Sequence, residues 1–144
     1  MLHYSDEVID LIFKRLEEEG TLTKETTLRL YSIFDKTLLE SLQLTEGKQV
    51  TKVQSDSGRA LYRVSNECIS ELEDPAAQEI INTCMINPRY CNCDKFIQDV
   101  ILRNDMVMCR HVLAVKLSES LKLLGVNHLE DKAFAQEYKR WLSS

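Results

Sequence analysis

No apolar run in this sequence exceeds four residues, as in 112–115 (VLAV), far short of the ~20 that a helix needs to cross a bilayer. The first ten residues carry acids where a signal or transit peptide wants basic side chains, so secretion and organelle import are not expected. Glycine is scarce. Its four residues, Gly20, Gly47, Gly58 and Gly125, stand singly, and no glycine-rich phosphate loop exists. Nucleotide hydrolysis by this chain finds no support. Positive charge is also short: 18 Lys and Arg face 23 Asp and Glu, a net −5 that disfavours coating nucleic acid by bulk charge.

What remains is ordinary globular material. The 144 residues, at 16.7 kDa, suit one domain. A hydrophobic share of 44% with 28% charged residues argues against a wholly disordered chain. The charge is uneven: residues 47–65 hold four basic and one acidic side chain, residues 89–124 six and four, and the intervening 66–88 none and five. Two weakly basic blocks flank an acidic one, and a solvated surface of mixed sign is the expectation.

Residues 5–19 read as a helix, with Ser5 as cap, Asp6 and Glu7 at its positive end, Gly20 as its stop, and Val8, Ile9, Leu11, Ile12 and Leu16 mostly on one face. A second helix is expected from about 24 to 42. Its Leu28, Leu30, Tyr31, Ile33, Phe34, Leu38, Leu39 and Leu42 form an apolar surface wider than one stripe, which another part of the chain or a partner must cover. Residues 49–54 and 59–65, rich in β-branched and aromatic residues around Asp56-Ser57-Gly58, signal a hairpin. An acidic loop over 66–78 should follow, then a third strand over 79–86. A helix over 112–124, stopped by Gly125, and a last helix over about 130–141 with Phe134, Tyr138 and Trp141 as core complete the expectation.

Five cysteines, Cys68, Cys84, Cys91, Cys93 and Cys109, are an odd number in a chain without a secretory signal, and three of them fall within 19 residues beside His111. That favours metal over disulfides. Cys91, Cys93, Cys109 and His111 are spaced C-x-C, fifteen residues, C-x-H. Three thiolates and an imidazole supply the tetrahedron that a structural zinc wants, with no open position left for a catalytic water. Cysteines two apart share a side on extended backbone, whereas residues two apart in a helix diverge. Cys109 should therefore lie in the approach to a helix and His111 in its first turn. Arg89, Lys95 and Arg110 are near enough in sequence to offset the excess negative charge. Cys68 and Cys84 default to structural burial, and His3 and His128 to the surface. No nucleophilic-cysteine site is expected, since His111 is already taken as a ligand.

These residues resemble the SWIM zinc-finger family: CNC at 91–93, then CRHVLAV at 109–115 with the small Ala114 three after the histidine, preceded by SDSGRALYRV at 55–64. The resemblance covers about residues 49–124. With two N-terminal helices ahead of it, the chain is similar to the short SWIM subunits of Shu-type complexes. That implies a nuclear, non-enzymatic protein holding one structural zinc ion. It also implies a RecA-like recombinase paralogue as partner, with recombinase filament assembly on single-stranded DNA in homologous recombination as its purpose. No membrane is involved. The expected fold is α+β: an N-terminal helical segment (1–46), a SWIM zinc-binding domain (47–124) with a small antiparallel sheet and a ββα finger, and a C-terminal helix (125–144). Two other readings stay open. One is a finger touching single-stranded DNA through Lys48, Lys52, Arg59, Arg63 and Arg110; the other is a SWIM adaptor in ubiquitin transfer.

Overall fold

The structure, a computed structural model, describes residues 6–66, 80–86, 89–104 and 106–142. The acidic loop expected over 66–78, together with Cys68, His3 and the Ser5 cap, lies outside them except at Asn66. Helix α1 (Asp6–Glu19) buries Ile9, Ile12, Phe13 and Leu16, one face at three- and four-residue spacing. It stops at Gly20, whose φ of 73° suits a residue without a Cβ. Glu19, at the end where the helix dipole disfavours an acid, is held by Arg15 at 3.0 Å and by the hydroxyls of Thr23 and Thr26, each at 3.3 Å.

The expected helix over 24–42 is two helices. Thr23 caps α2 (Lys24–Phe34) by accepting from the Thr26 amide at 3.2 Å, and α3 (Lys36–Glu46) follows after a break at Asp35. Asp35 sits at φ 55°, ψ −130°, a conformation that reorients the chain. The break divides the wide apolar surface. Leu30, Phe34 and Leu38 enter the core, while Leu28 and Leu39 stay outside at 59% and 54% exposure. Helix α1 packs on α2.

Strands β1 (Val50–Ser55), β2 (Ala60–Asn66), β3 (Ile80–Met85) and β4 (Tyr90–Cys91) form an antiparallel meander, and the expected hairpin is its first half. The helix expected over 112–124 is α4 (Arg110–Ser120), one turn shorter at its C-terminal end. After it Gly125 opens a strand, β5 (Gly125–Leu129), which pairs parallel with β1. The sheet is thus mixed and five-stranded, ordered β4-β3-β2-β1-β5, rather than small and antiparallel. The stretch 125–144 holds a strand as well as α5 (Asp131–Leu142).

Alternation along the strands sends their side chains into two clusters on opposite faces. Val50, Tyr62, Val64 and Cys84 join α1, α2, α3 and α4 in the main core. Val53 and Leu61 meet Phe134 and Trp141 of α5 in a smaller one, with Tyr138 beside Phe134 at its edge, 38% exposed. Helix α4 is the axis of the main core. Its Val112, Leu113, Ala114, Val115 and Leu117 are all shut from solvent, and the small Ala114 permits the close approach of its neighbours. No helix among the described residues is long and apolar enough to cross a membrane.

Candidate metal centre

Cys91 ends β4, and Asn92 carries the pairing with β3 one residue further. The Asn92 amide donates to the Thr83 carbonyl at 3.3 Å; its side-chain oxygen accepts from the Thr83 amide at 3.1 Å and from Asn82 Nδ2 at 3.0 Å. This polar clamp between the two cysteines holds the backbone extended, so both sulphurs turn to one side. Cys93 then opens a helical turn, and Phe96–Leu102 continues as a π-helix. The Phe96 amide donates to Cys93 Sγ at 3.4 Å.

From the other side comes α4. Cys109 is its N-cap residue, in extended conformation, and His111 lies in its first turn. The positive end of the helix dipole therefore faces the sulphurs. Cys91, Cys109 and His111 are buried and Cys93 is half-buried. All four donor atoms lie within 4.8 Å of one another. A tetrahedral zinc, with bonds of ~2.3 Å to sulphur and ~2.0 Å to nitrogen, sets an S···N edge of ~3.5 Å. Cys91 Sγ and His111 Nδ1 stand 3.6 Å apart. The donor set fits zinc in both chemistry and spacing.

Electrostatics point the same way. Hydrogen bonds from Cys109 and then Cys91 hold the Cys93 thiol far below its ordinary pKa, and the Cys91 and Cys93 sulphurs push Cys109 far above its own. Three sulphurs this close do not ionise together unless a cation sits among them. Of the three basic residues expected near the centre, two also pair with acids. Arg89 pairs with Asp6 on α1, and Arg110 reaches Glu40 on α3 at 3.4 Å. Lys95 and Arg110 nonetheless line one cavity with Cys93, Cys109 and His111, and the α4 dipole and the Phe96 amide add to the positive side of the balance.

The five basic residues considered for DNA do not gather. Lys52 lies near the Tyr62 ring on the face of the sheet that carries the main core. Arg63, one residue beyond Tyr62, stacks on Trp141 on the opposite face at 4.0 Å. Arg59 and Lys48 are exposed near opposite ends of β1. His128 is exposed, as expected. Cys84 is buried, but it also stands directly across from Cys91 in the β3–β4 ladder. A position seven residues upstream gave no spacing signal for that adjacency.

A tetrahedral donor set clasped between a strand pair and a helix start makes this an α+β zinc-finger protein. Residues 82–119 match the SWIM zinc finger, so the chain carries a SWIM zinc-binding domain, from β3 through α4. The β1–β2 hairpin lies outside that match. The chain resembles zinc finger SWIM domain-containing protein 7. It is 28% identical over 131 residues to the homolog of that protein from Dictyostelium discoideum, covering 91% of this chain and 78% of the relative. It is 26% identical over 127 residues to the Mus musculus protein (88% and 77% covered) and 25% identical over 127 residues to the Homo sapiens protein (88% and 84%). No solved structure matches the chain. The SWIM finger is a zinc-binding domain, not an enzyme family.

Proposed function

We propose that this chain is the zinc-binding subunit of a Shu-type complex, pairing in the nucleus with a RecA-like recombinase paralogue and promoting recombinase filament assembly in homologous-recombination repair. The observation that supports this reading is the extent of the similarity. Likeness to the short SWIM relatives covers 88–91% of the chain in the three comparisons above, well beyond the finger at 82–119. At most 17 residues fall outside each comparison, so α2 and α3 are part of what is shared, and the N-terminal helices carry a surface suited to a partner. Between α1 and α2 runs a groove of about 660 Å³ whose walls include Val8, Leu11 and Ile33. Leu11 is 66% exposed at its rim. Exposed apolar surface of this kind marks interaction sites. Zinc shapes the domain that presents the groove and takes no part in a reaction. Contact with single-stranded DNA runs through the complex, since the basic side chains of this chain are dispersed over both faces of the sheet.

Affinity purification from the protein's own cells, read by mass spectrometry, tests the reading. Wild type should retain a RecA-like ATPase, and Leu11→Glu should lose it while remaining folded and zinc-loaded. Recovery of no such ATPase with folded wild type, or recovery of ubiquitin-conjugating enzymes in its place, overturns the proposal.

A further inference from the structure

The two ends of the sheet are built differently. At one, β4 is only two residues long and runs straight into the zinc ligands, with the Asn92 amide and side chain both bonded to β3. At the other, β5 pairs over five residues in unbroken parallel register with β1, and no described strand lies beyond it. Edge strands are normally blunted by shortness, charge, proline or a bulge. The sequence of β5, GVNHL, has the usual length of a strand and carries no lysine, no acid, no proline and no bulge. Four of its residues are exposed, Val126 at 49%. Alternate residues of this strand turn amides and carbonyls outward, where the described residues offer them no partner.

Register fixes which way the side chains face. Asn127 and Leu129 share a face with Val53, the face on which α5 packs, while Val126 shares the other with Lys52. Beside Asn127 and Leu129 lies a cavity of about 400 Å³, bounded by the C-terminal half of α5. Its lining includes the apolar Trp141, and Arg63 and Arg140 against one acid, Glu137, which pairs with Arg140 at 2.6 Å. One positive charge is left over on that face, and Lys52 supplies another on the opposite one. Acids are therefore favoured in whatever continues the sheet.

We propose that β5 accepts a strand from outside the chain: an extended, acid-bearing segment of the RecA-like partner pairs with its free edge and sets an apolar side chain into the cavity beside Trp141. The inference rests on the partner reading given above and adds a second contact, on residues that the α1–α2 groove does not use. Strand addition suits the edge because backbone pairing supplies affinity and pockets for alternate side chains supply specificity. Nucleic acid has no peptide groups to continue the ladder. A second copy of this chain would bring another GVNHL, which has no acid to meet the cations.

Consecutive residues of a strand aim their amides alternately inward and outward, so Val126→Pro and Asn127→Pro form a matched pair. One deletes a ladder bond to β1 and should lower melting. The other deletes only an outward N–H and should melt nearer to wild type. In affinity purification from the protein's own cells, this outward variant should retain the RecA-like ATPase about tenfold less than wild type, the weight of one backbone hydrogen bond. Arg140→Glu, at an exposed ion pair, should stay folded and also retain less. In the purified wild-type complex, β5 amides should exchange hydrogen about tenfold more slowly than in the isolated chain. The last two measurements decide the matter even if both proline variants unfold. If wild type and the folded variants retain the ATPase equally, and β5 exchanges as fast in the complex as alone, the proposal fails while the partner reading stands. An isolated chain that sediments as a dimer with slowed β5 exchange also overturns it, giving the edge to a second copy. Recovery of no ATPase by folded wild type removes the partner reading itself, and the proposal with it.

Discussion

The Ser41 hydroxyl in α3 is shared between the Thr37 carbonyl of its own helix at 2.8 Å and the Arg110 carbonyl at 2.9 Å, and the second contact ties the N-terminal helices to the turn of α4 that carries His111. Ser41 is wholly buried, and α3 against α4 is one of the most extensive seams in the molecule. The helices ahead of the finger and the finger itself share one hydrophobic core. Ser41→Ala removes one neutral hydrogen bond and should cost about 1 kcal/mol, seen as a fall of about 2–4 °C in melting temperature with zinc still stoichiometric. Arg110→Ala removes only a half-exposed pair with Glu40 and should cost less than half of that. An Arg110 effect larger than the Ser41 effect would show that the seam is held by charge.

The shared core decides what metal removal does. Zinc binding in small structural sites contributes on the order of 10 kcal/mol, comparable to the whole stability of a domain. Without metal the 94–108 segment is released from both of its anchors, Cys93 and Cys109, and α4 loses its fixed start. Chelation should therefore abolish helical circular dichroism across α3 as well as α4, in one cooperative transition. Cys109→Ser should give a poorly soluble chain for the same reason. Hydrogen exchange that leaves α3 protected after chelation would contradict the coupling.

Much of this was legible before the structure. The C-x-C and C-x-H spacing placed Cys109 outside a helix and His111 inside it from backbone periodicity alone. The hairpin, α1, β3 and α5 followed from alternation and helical spacing. The failures share a cause. Asp35 breaks the second helix with neither glycine nor proline to announce it, and the apolar pattern runs on across the break. The five residues of β5, GVNHL, alternate too weakly to read as a strand. They become one only because β1 offers an edge some seventy residues away in sequence. On α2, spacing shows that Leu30 and Leu28 are both apolar but not that Leu30 enters the main core while Leu28 stays exposed.

That contrast gives a paired prediction on α2 and α1. Leu30 is 0% exposed, so Leu30→Asp should unfold the isolated chain. Leu11→Glu, on the open groove, should leave melting within about 0.5 kcal/mol of wild type. Thermal melts of the two purified variants check this directly. A folded Leu30→Asp chain would mean that the main core is not packed as described.

At Asp35 the prediction is a gain. A positive φ with ψ of −130° is strained for any residue with a Cβ, and the Asp35 side chain makes no capping bond to α3. Asp35→Gly should relieve more strain than the added flexibility of the unfolded chain costs, a net of about 1 kcal/mol. Melting should rise by about 2–4 °C. A fall instead would show that the carboxylate's interaction with the α3 dipole outweighs the backbone strain.

Acid should release the metal. In the metal-free cluster the Cys109 thiol is raised by its Cys91 and Cys93 neighbours, so it holds its proton at neutral pH and zinc must displace it. Protons and zinc compete for the same sulphurs, and apparent affinity must climb with pH. The rise should be roughly tenfold per unit for each proton released. Chelator competition at pH 6, 7 and 8 measures the slope. A flat profile would mean that the thiols are already ionised without metal.

The second cluster should behave independently of the first. Trp141 and Phe134 of α5 close it over Val53 and Leu61, with the Arg63 guanidinium 4.0 Å from the Trp141 ring. Val53 and Leu61 point away from the face that carries Cys84 and α4, so nothing in this cluster touches a zinc donor. Trp141→Ala removes the largest side chain of a small core and should cost about 3–5 kcal/mol. Trp141→Phe keeps most of the apolar contact and should cost much less. Arg63→Lys gives up the planar stacking, worth about 1 kcal/mol where the ring is partly desolvated. In all three, at temperatures where the chain remains folded, zinc content and the cobalt(II) spectrum should match wild type. Loss of zinc from folded Trp141→Ala would show that the sheet transmits strain from one face to the other, and the two clusters would then have to be treated as one.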